Sequence, residues 1–107
     1  QAESTYRKGL PFDDRGVVHY YLARMLLLES KTAQAKKISH QGLTKFPDNG
    51  TLWIIDALAE YSLGNQTLAL EKAKKAKELL PNPTIQQLYD DIANKIPVSQ
   101  ILGTSNQ

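Results

Sequence analysis

Apolar residues recur along this chain at the spacing of three and four positions that is typical of amphipathic helices. The segment 33–46 carries apolar or small residues at Ala35, Ile38, Ser39, Gly42, Leu43 and Phe46. Segments 52–63, 67–80 and 84–96 show the same spacing, and residues 17–29 are almost continuously apolar. The pattern predicts an all-α fold of about five helices, the first of them buried on more than one side.

Small and helix-breaking residues repeat at an interval of 34 positions. The registered pairs are Ala23 and Ala57, Ser30 and Gly64, Ala35 and Ala69, Gly42 and Ala76, and Pro47 and Pro81. A fixed period of this length indicates stacked helical units that bury a core between them. Small residues at matching positions would let helices approach closely, and large side chains from partner helices would fill the remaining space.

The period divides the chain into segments. Residues 16–49 and 50–83 form two units, and 84–96 form a capping helix whose polar face solvates the end of the array. Residues 1–15 are expected to be a linker or the end of a preceding helix. Residues 97–107 lack periodicity and are expected to be a flexible tail.

These residues resemble the tetratricopeptide repeat, a helix–turn–helix unit of 34 residues. Leu22, Ala23 and Leu26 resemble its large-small-large signature, and Gly42 and Pro47 fall at its small and closing positions. The second unit matches better, at Trp53, Ala57, Gly64, Ala69, Ala76 and Pro81. The resemblance covers residues 16–96 and implies antiparallel helix pairs wound into a right-handed α-α superhelix.

Three positions of the second unit depart from the family pattern. Asp56 and Glu60 stand where the family has apolar residues, and Tyr61 lies one position from the usual aromatic residue. These departures imply one of two differences from the family. Either the first helix of the second unit is rotated, or the turn at Gly64 is one residue shorter than the family's turn.

The resemblance also implies a binding surface, because the first helices of such units line a concave groove that holds peptides. The groove here would present Tyr20, Arg24, Leu27, Ile54, Leu58 and Tyr61. It is mostly apolar, and Arg24 is its one basic residue, whereas the family's carboxylate clamp uses Lys and Asn. We therefore expect a protein or peptide partner with apolar anchors and a carboxylate for Arg24, not an acidic chain terminus.

Composition and charge indicate no catalytic, metal or cofactor site. The 107 residues include no cysteine, and His19 and His40 lack the further ligands that zinc requires. We expect His19 to pack between helices and His40 to lie at the surface. Adjacent carboxylates such as Asp13 and Asp14 diverge, so they are not expected to share a substrate.

The charge balance argues against a polyanionic partner such as nucleic acid. The net charge is +2, from 13 basic and 11 acidic residues. A basic run on one helix, Lys72, Lys74, Lys75 and Lys77, is interleaved with Glu71 and Glu78, as on a solvated outer face. The longest apolar runs are too short to insert into a membrane.

The sequence therefore predicts a non-catalytic protein–protein interaction or scaffolding module that binds a peptide or partner domain in an apolar groove. Because the chain begins at Gln1, we expect it to be a fragment of a larger protein. One alternative is an accessory domain of a membrane or periplasmic enzyme, such as a glycosyltransferase or peptidase. Another is a self-association module, in which the groove packs against a second copy. The sequence indicates no particular cellular compartment.

Overall fold

The computed structural model describes residues 2–103, and every regular element in this range is helical. The seven α-helices are α1 (Ala2–Gly9), α2 (Val17–Leu28), α3 (Thr32–Lys45), α4 (Gly50–Ser62), α5 (Gln66–Leu79), α6 (Pro83–Ala93) and α7 (Val98–Gly103). A short 3-10 turn, Leu10–Phe12, follows α1. The predicted all-α class is confirmed, and α2–α6 coincide with the five predicted helices. Helices α1 and α7 are additional.

The backbone repeats at the 34-residue interval seen in the sequence. Helices α2 and α4 both end in a left-handed residue, Ser30 with φ 63° and Gly64 with φ 89°. The next residues, Lys31 (φ −93°, ψ 59°) and Asn65 (φ −96°, ψ 65°), again share one conformation. Backbone hydrogen bonds of the Schellman type close both turns. The turn at Gly64 therefore has the same length and conformation as its counterpart at Ser30.

Polar side chains fix where two of the helices begin. The Asn49 side chain accepts a hydrogen bond from the Leu52 amide at the start of α4, over 3.0 Å. Asn82 does the same for the Ile85 amide at the start of α6, over 2.8 Å, and Pro83 occupies the first helical position. These caps satisfy amide groups that have no partner within the helix.

Consecutive helices pack against each other from α2 to α6, and two contacts skip a helix. Helix α2 touches α4, and α4 touches α6, so these three form one layer. Helices α3 and α5 both pack on α4, and His40 of α3 approaches Lys72 of α5, so these two helices lie on the same side of that layer. Helix α4 is thus central, and its residues from Ile54 to Glu60 are all buried.

Gly42 permits a close helix crossing. A Cβ atom placed there would lie 2.9 Å from Leu52 Cδ1 and 3.0 Å from His19 Cβ, too close for either neighbour. Ala76, the residue 34 positions later, is completely buried in α5. The registered small residues therefore lie where helices meet.

The C-terminal segment differs from the expected flexible tail over 97–107. Residues Val98–Gly103 form helix α7, and Ile101 and Leu102 are buried. The segment is too short to show a helical period in the sequence, and packing against α2 and α4 gives it a fixed position. Residues 104–107 lie outside the described residues.

Candidate functional site

Helix α4 has two opposite faces of different chemistry. Ile54, Leu58 and Tyr61 follow each other at spacings of four and three and form an apolar stripe. Asp56 and Glu60 are four residues apart on the opposite side of the helix. The two carboxylates face α3 and α5, where their hydrogen-bond partners lie, so the apolar stripe faces away from those helices.

The six residues predicted to line a groove fall into two groups. Leu27, Ile54 and Leu58 are buried, whereas Tyr20, Arg24 and Tyr61 are half-buried. All six lie on α2 or α4, which are in contact with each other.

Helix α7 lies beside two of these six residues, Leu27 and Tyr61. It packs against both α2 and α4. Val98 and Leu102 of α7 share an open cleft of about 630 Å³ with Leu27 and Tyr61, next to the ends of α2 and α4. One end of the predicted groove is therefore occupied by the chain itself.

The other end of this surface is open and aromatic. Tyr20 and Tyr21 meet edge to face with ring centroids 5.2 Å apart, and Tyr21 stacks on Tyr6 of α1 at 6.2 Å. Val17 and Tyr21, which line a small pocket together with Tyr20, are about half exposed. Exposed aromatic side chains grouped at one place are typical of interaction surfaces.

The opposite face of α4 holds a buried ion cluster that consists of Asp56, Glu60 and Lys72 with their polar neighbours. The Lys72 ammonium donates hydrogen bonds of 2.7 Å to Asp56 Oδ2 and of 2.7 Å to Glu60 Oε2. Ser39 of α3 donates to Asp56 Oδ1 over 2.5 Å, and Asn65 donates to Glu60 Oε1 over 3.0 Å. The cluster thus connects α3, α4 and α5.

The charges of the cluster stabilise one another. Burial alone would raise the pKa of Glu60, but the hydrogen bonds from Lys72, Asn65 and Lys36 lower it to about 2. For Lys72, burial acts to lower the pKa, and the hydrogen bonds with Asp56 and Glu60 outweigh it and raise the pKa. Both groups are therefore charged at neutral pH.

The cluster includes residues of the kind that bind metals. His40, Asp56 and Glu60 each offer a ligand atom, and these atoms lie within 4.8 Å of one another. However, the Lys72 ammonium lies 2.7 Å from both carboxylates and 3.3 Å from His40 Nε2, so a cation belonging to the chain already contacts all three. His40 itself is half exposed, in line with the surface position expected for it.

The order of groups in the cluster is not that of a catalytic triad. The Ser39 hydroxyl bonds to Asp56, and His40 approaches the other carboxylate oxygen of Asp56 at 3.3 Å. A nucleophilic serine needs the imidazole directly beside its hydroxyl. Within residues 2–103 no buried side-chain nitrogen or oxygen lacks a hydrogen-bond partner, so the polar groups are used in holding helices together.

A second buried pair anchors the start of α2. His19 Nδ1 lies 2.7 Å from Asp13 Oδ2, and both side chains are 2% exposed. Asp13 also accepts hydrogen bonds from the amides of Gly16 and His19. Burial acts to raise the pKa of Asp13, and these hydrogen bonds lower it overall. His19 thus packs between helices as predicted, and Asp13 is a capping residue instead of an exposed linker residue.

The ion cluster is not predicted by the sequence pattern, which also misplaces one of its members. The pattern puts Lys72 on the solvated outer face of α5 with Lys74, Lys75 and Lys77, but its side chain is only 13% exposed. Lys74 and Lys75 are exposed, and Lys77 lies 4.0 Å above the Tyr89 ring. The available signal was the pair Asp56 and Glu60, four residues apart within an apolar helix, because buried carboxylates need a cation.

Comparisons with known proteins add no family to this description. No family model matches the chain, and no curated protein or solved structure matches it either. None of the described helices combines the length and apolar character needed to cross a membrane.

Proposed function

We propose that this chain is a protein–protein interaction module of the tetratricopeptide type that binds a peptide or partner domain on the surface formed by α2 and α4. The face carrying Tyr20, Arg24, Leu27, Ile54, Leu58 and Tyr61 is the binding surface, which we call the α2–α4 surface. The module is non-catalytic, has no resident cofactor and takes a protein ligand rather than nucleic acid.

One observation carries this proposal: an apolar helix of the same chain, α7, lies on the α2–α4 surface and leaves an open cleft beside it. A surface that accepts one apolar helix has the shape and chemistry to accept another. The repeated backbone at Ser30 and Gly64 supports the helix-pair array, and the aromatic group at Tyr20 and Tyr21 supplies partly exposed anchors.

The proposal is tested by selecting ligands from a random library, which requires no assumption about the natural partner. Peptides would be selected by display against the 107-residue chain, and the best would be measured by isothermal titration calorimetry. Tyr20→Ala should weaken binding about tenfold or more, because aromatic anchors dominate interfaces. Lys75→Ala, on the exposed side of α5, is the matched control and should change affinity by less than about twofold.

Two outcomes would contradict the proposal. If the library yields no ligand, or if the selected ligands depend on Lys75 and not on Tyr20, the α2–α4 surface is not the binding site. Dependence on Lys75 would favour an acidic or nucleic-acid partner on the outer basic side.

A further inference from the structure

Helix α7 lies on the α2–α4 surface although it follows the capping helix in the chain. Its side chains Ile101 and Leu102 are each 6% exposed, and Val98 and Leu102 line the cleft beside Leu27 and Tyr61. The three α7 positions, Val98, Ile101 and Leu102, are spaced i, i+3 and i+4, as on one face of a helix.

The turn before α7 has the same backbone conformation as the two earlier turns, but it does not follow them at the 34-residue interval. Lys95 adopts φ 60°, like Ser30 and Gly64, but it follows Gly64 by 31 residues, not 34. After the earlier turns, helices of 14 residues pack beside the first helix of their own unit. After Lys95, a six-residue helix instead packs on α2 and α4.

Several features limit how firmly α7 is held. A six-residue helix does not form on its own in water, so its order depends on packing. Only Ile101 and Leu102 are buried among Val98–Leu102, and the segment contains no charged residue for an ion pair. The open cleft beside Val98 and Leu102 leaves part of this interface unfilled.

We infer that α7 is a displaceable occupant of the α2–α4 surface, and that the external partner is a short amphipathic helix with apolar residues at i, i+3 and i+4. The α7 segment then competes with the partner for the part of the α2–α4 surface beside Leu27 and Tyr61. This inference rests on the proposed function and adds to it the class of ligand and an internal inhibitor.

The test uses a peptide of residues 97–103 with blocked ends, titrated into the isotope-labelled 107-residue chain and followed by NMR. Ile101→Ser in the chain should detach α7, and this variant should bind the peptide about tenfold or more tightly than the unmodified chain does. The reason is that a tethered competitor acts at a millimolar effective concentration. Gln100→Ala, an exposed position of the same helix, is the matched control and should bind like the unmodified chain.

The outcomes separate this inference from the proposed function. If the unmodified chain and the Ile101→Ser variant bind the α7 peptide with equal affinity, the inference is overturned. It is also overturned if neither chain binds the α7 peptide although both still bind ligands selected from the library. Failure of those selected ligands to bind any form of the chain overturns the proposed function instead. A control peptide with serine in place of both Ile101 and Leu102 should not bind.

A second measurement applies if circular dichroism shows that Ile101→Ser unfolds the chain. Hydrogen exchange on the unmodified chain should then show that the Ile101 amide exchanges about tenfold or more faster than the Leu58 amide in central helix α4, because a displaceable helix opens locally, without global unfolding. Equal protection of the two amides would show that α7 is an integral part of the core and overturn the inference.

Discussion

The buried side chains on the two faces of helix α4 are stabilised in different ways, by paired charges on one face and by apolar contacts on the other. On one face, Asp56 and Glu60 are satisfied by groups that are fixed in α3 and α5. On the other, Tyr61 shares an open cleft with Val98 and Leu102 of the short helix α7, which packs on α2 and α4. Charges in the interior require specific partners at specific distances, whereas an apolar stripe accepts any apolar surface of suitable shape.

The two faces therefore differ in the free energy that separating their contacts would cost. Separating α5 from α4 would leave the carboxylates without Lys72, at a high cost in free energy. Detaching α7 would expose a few apolar side chains and release the entropy of a short segment. The proposed binding surface is therefore the face whose contacts cost less free energy to separate.

The largest effect should come from removing the cation of the charged face. Lys72→Met removes the cation that bridges the two buried carboxylates and leaves Lys36, 3.3 Å from Glu60, as the remaining ammonium, so it should lower the free energy of unfolding by about 3 kcal/mol. Urea denaturation followed by circular dichroism measures this loss. Lys74→Met, at an exposed position of α5, is the matched control and should change stability by about 0.5 kcal/mol at most.

A combined variant tests whether the loss is electrostatic. Adding Asp56→Leu and Glu60→Leu to Lys72→Met removes the uncompensated charges and should recover most of the lost stability. If Lys72→Met alone unfolds at the same urea concentration as the unmodified chain, the cluster does not hold α5 on α4.

Acid should weaken the charged face through Glu60. Its pKa falls from an ordinary value of 4.5 to about 2 on folding, so the unfolded chain binds the proton more readily. The stabilisation is therefore complete above pH 4.5 and is lost as the pH falls through about 2. It amounts to roughly 3 kcal/mol.

Comparison with Glu60→Gln isolates this contribution from the other carboxylates. At neutral pH the unmodified chain should be the more stable of the two, and the gap in unfolding free energy should shrink between pH 4.5 and about 2. A gap that stays constant over this range would contradict the assignment of the low pKa to Glu60.

The repeated helices were predictable from the sequence because their apolar stripes are long enough to show a period and because Ser30 and Gly64 mark equivalent turns. Helix α7 was not, since the position of a six-residue segment is decided by contacts with distant helices. The pattern placed Lys72 at the surface because the neighbouring lysines are exposed. Only the packing of α5 on α4 brings Lys72 to Asp56 and Glu60.

The sequence predicts that the six surface residues lie on two neighbouring helices, α2 and α4. It does not predict which of the six are exposed to solvent. Tyr20 remains partly accessible because α7 lies toward the other end of α2, near Leu27. The accessible and covered ends follow from where α7 docks, next to Leu27 and Tyr61.

The most direct test of the central claim maps a library-selected ligand onto the labelled chain by NMR. We expect signals of Leu27, Leu58 and Tyr61 to shift on binding, and the Ile101 signals to move toward those of an unfolded peptide as α7 leaves. Signals of Lys74 and Lys75 should remain in place. Shifts confined to the exposed side of α5, with Ile101 unchanged, would contradict the claim that the α2–α4 surface binds the partner.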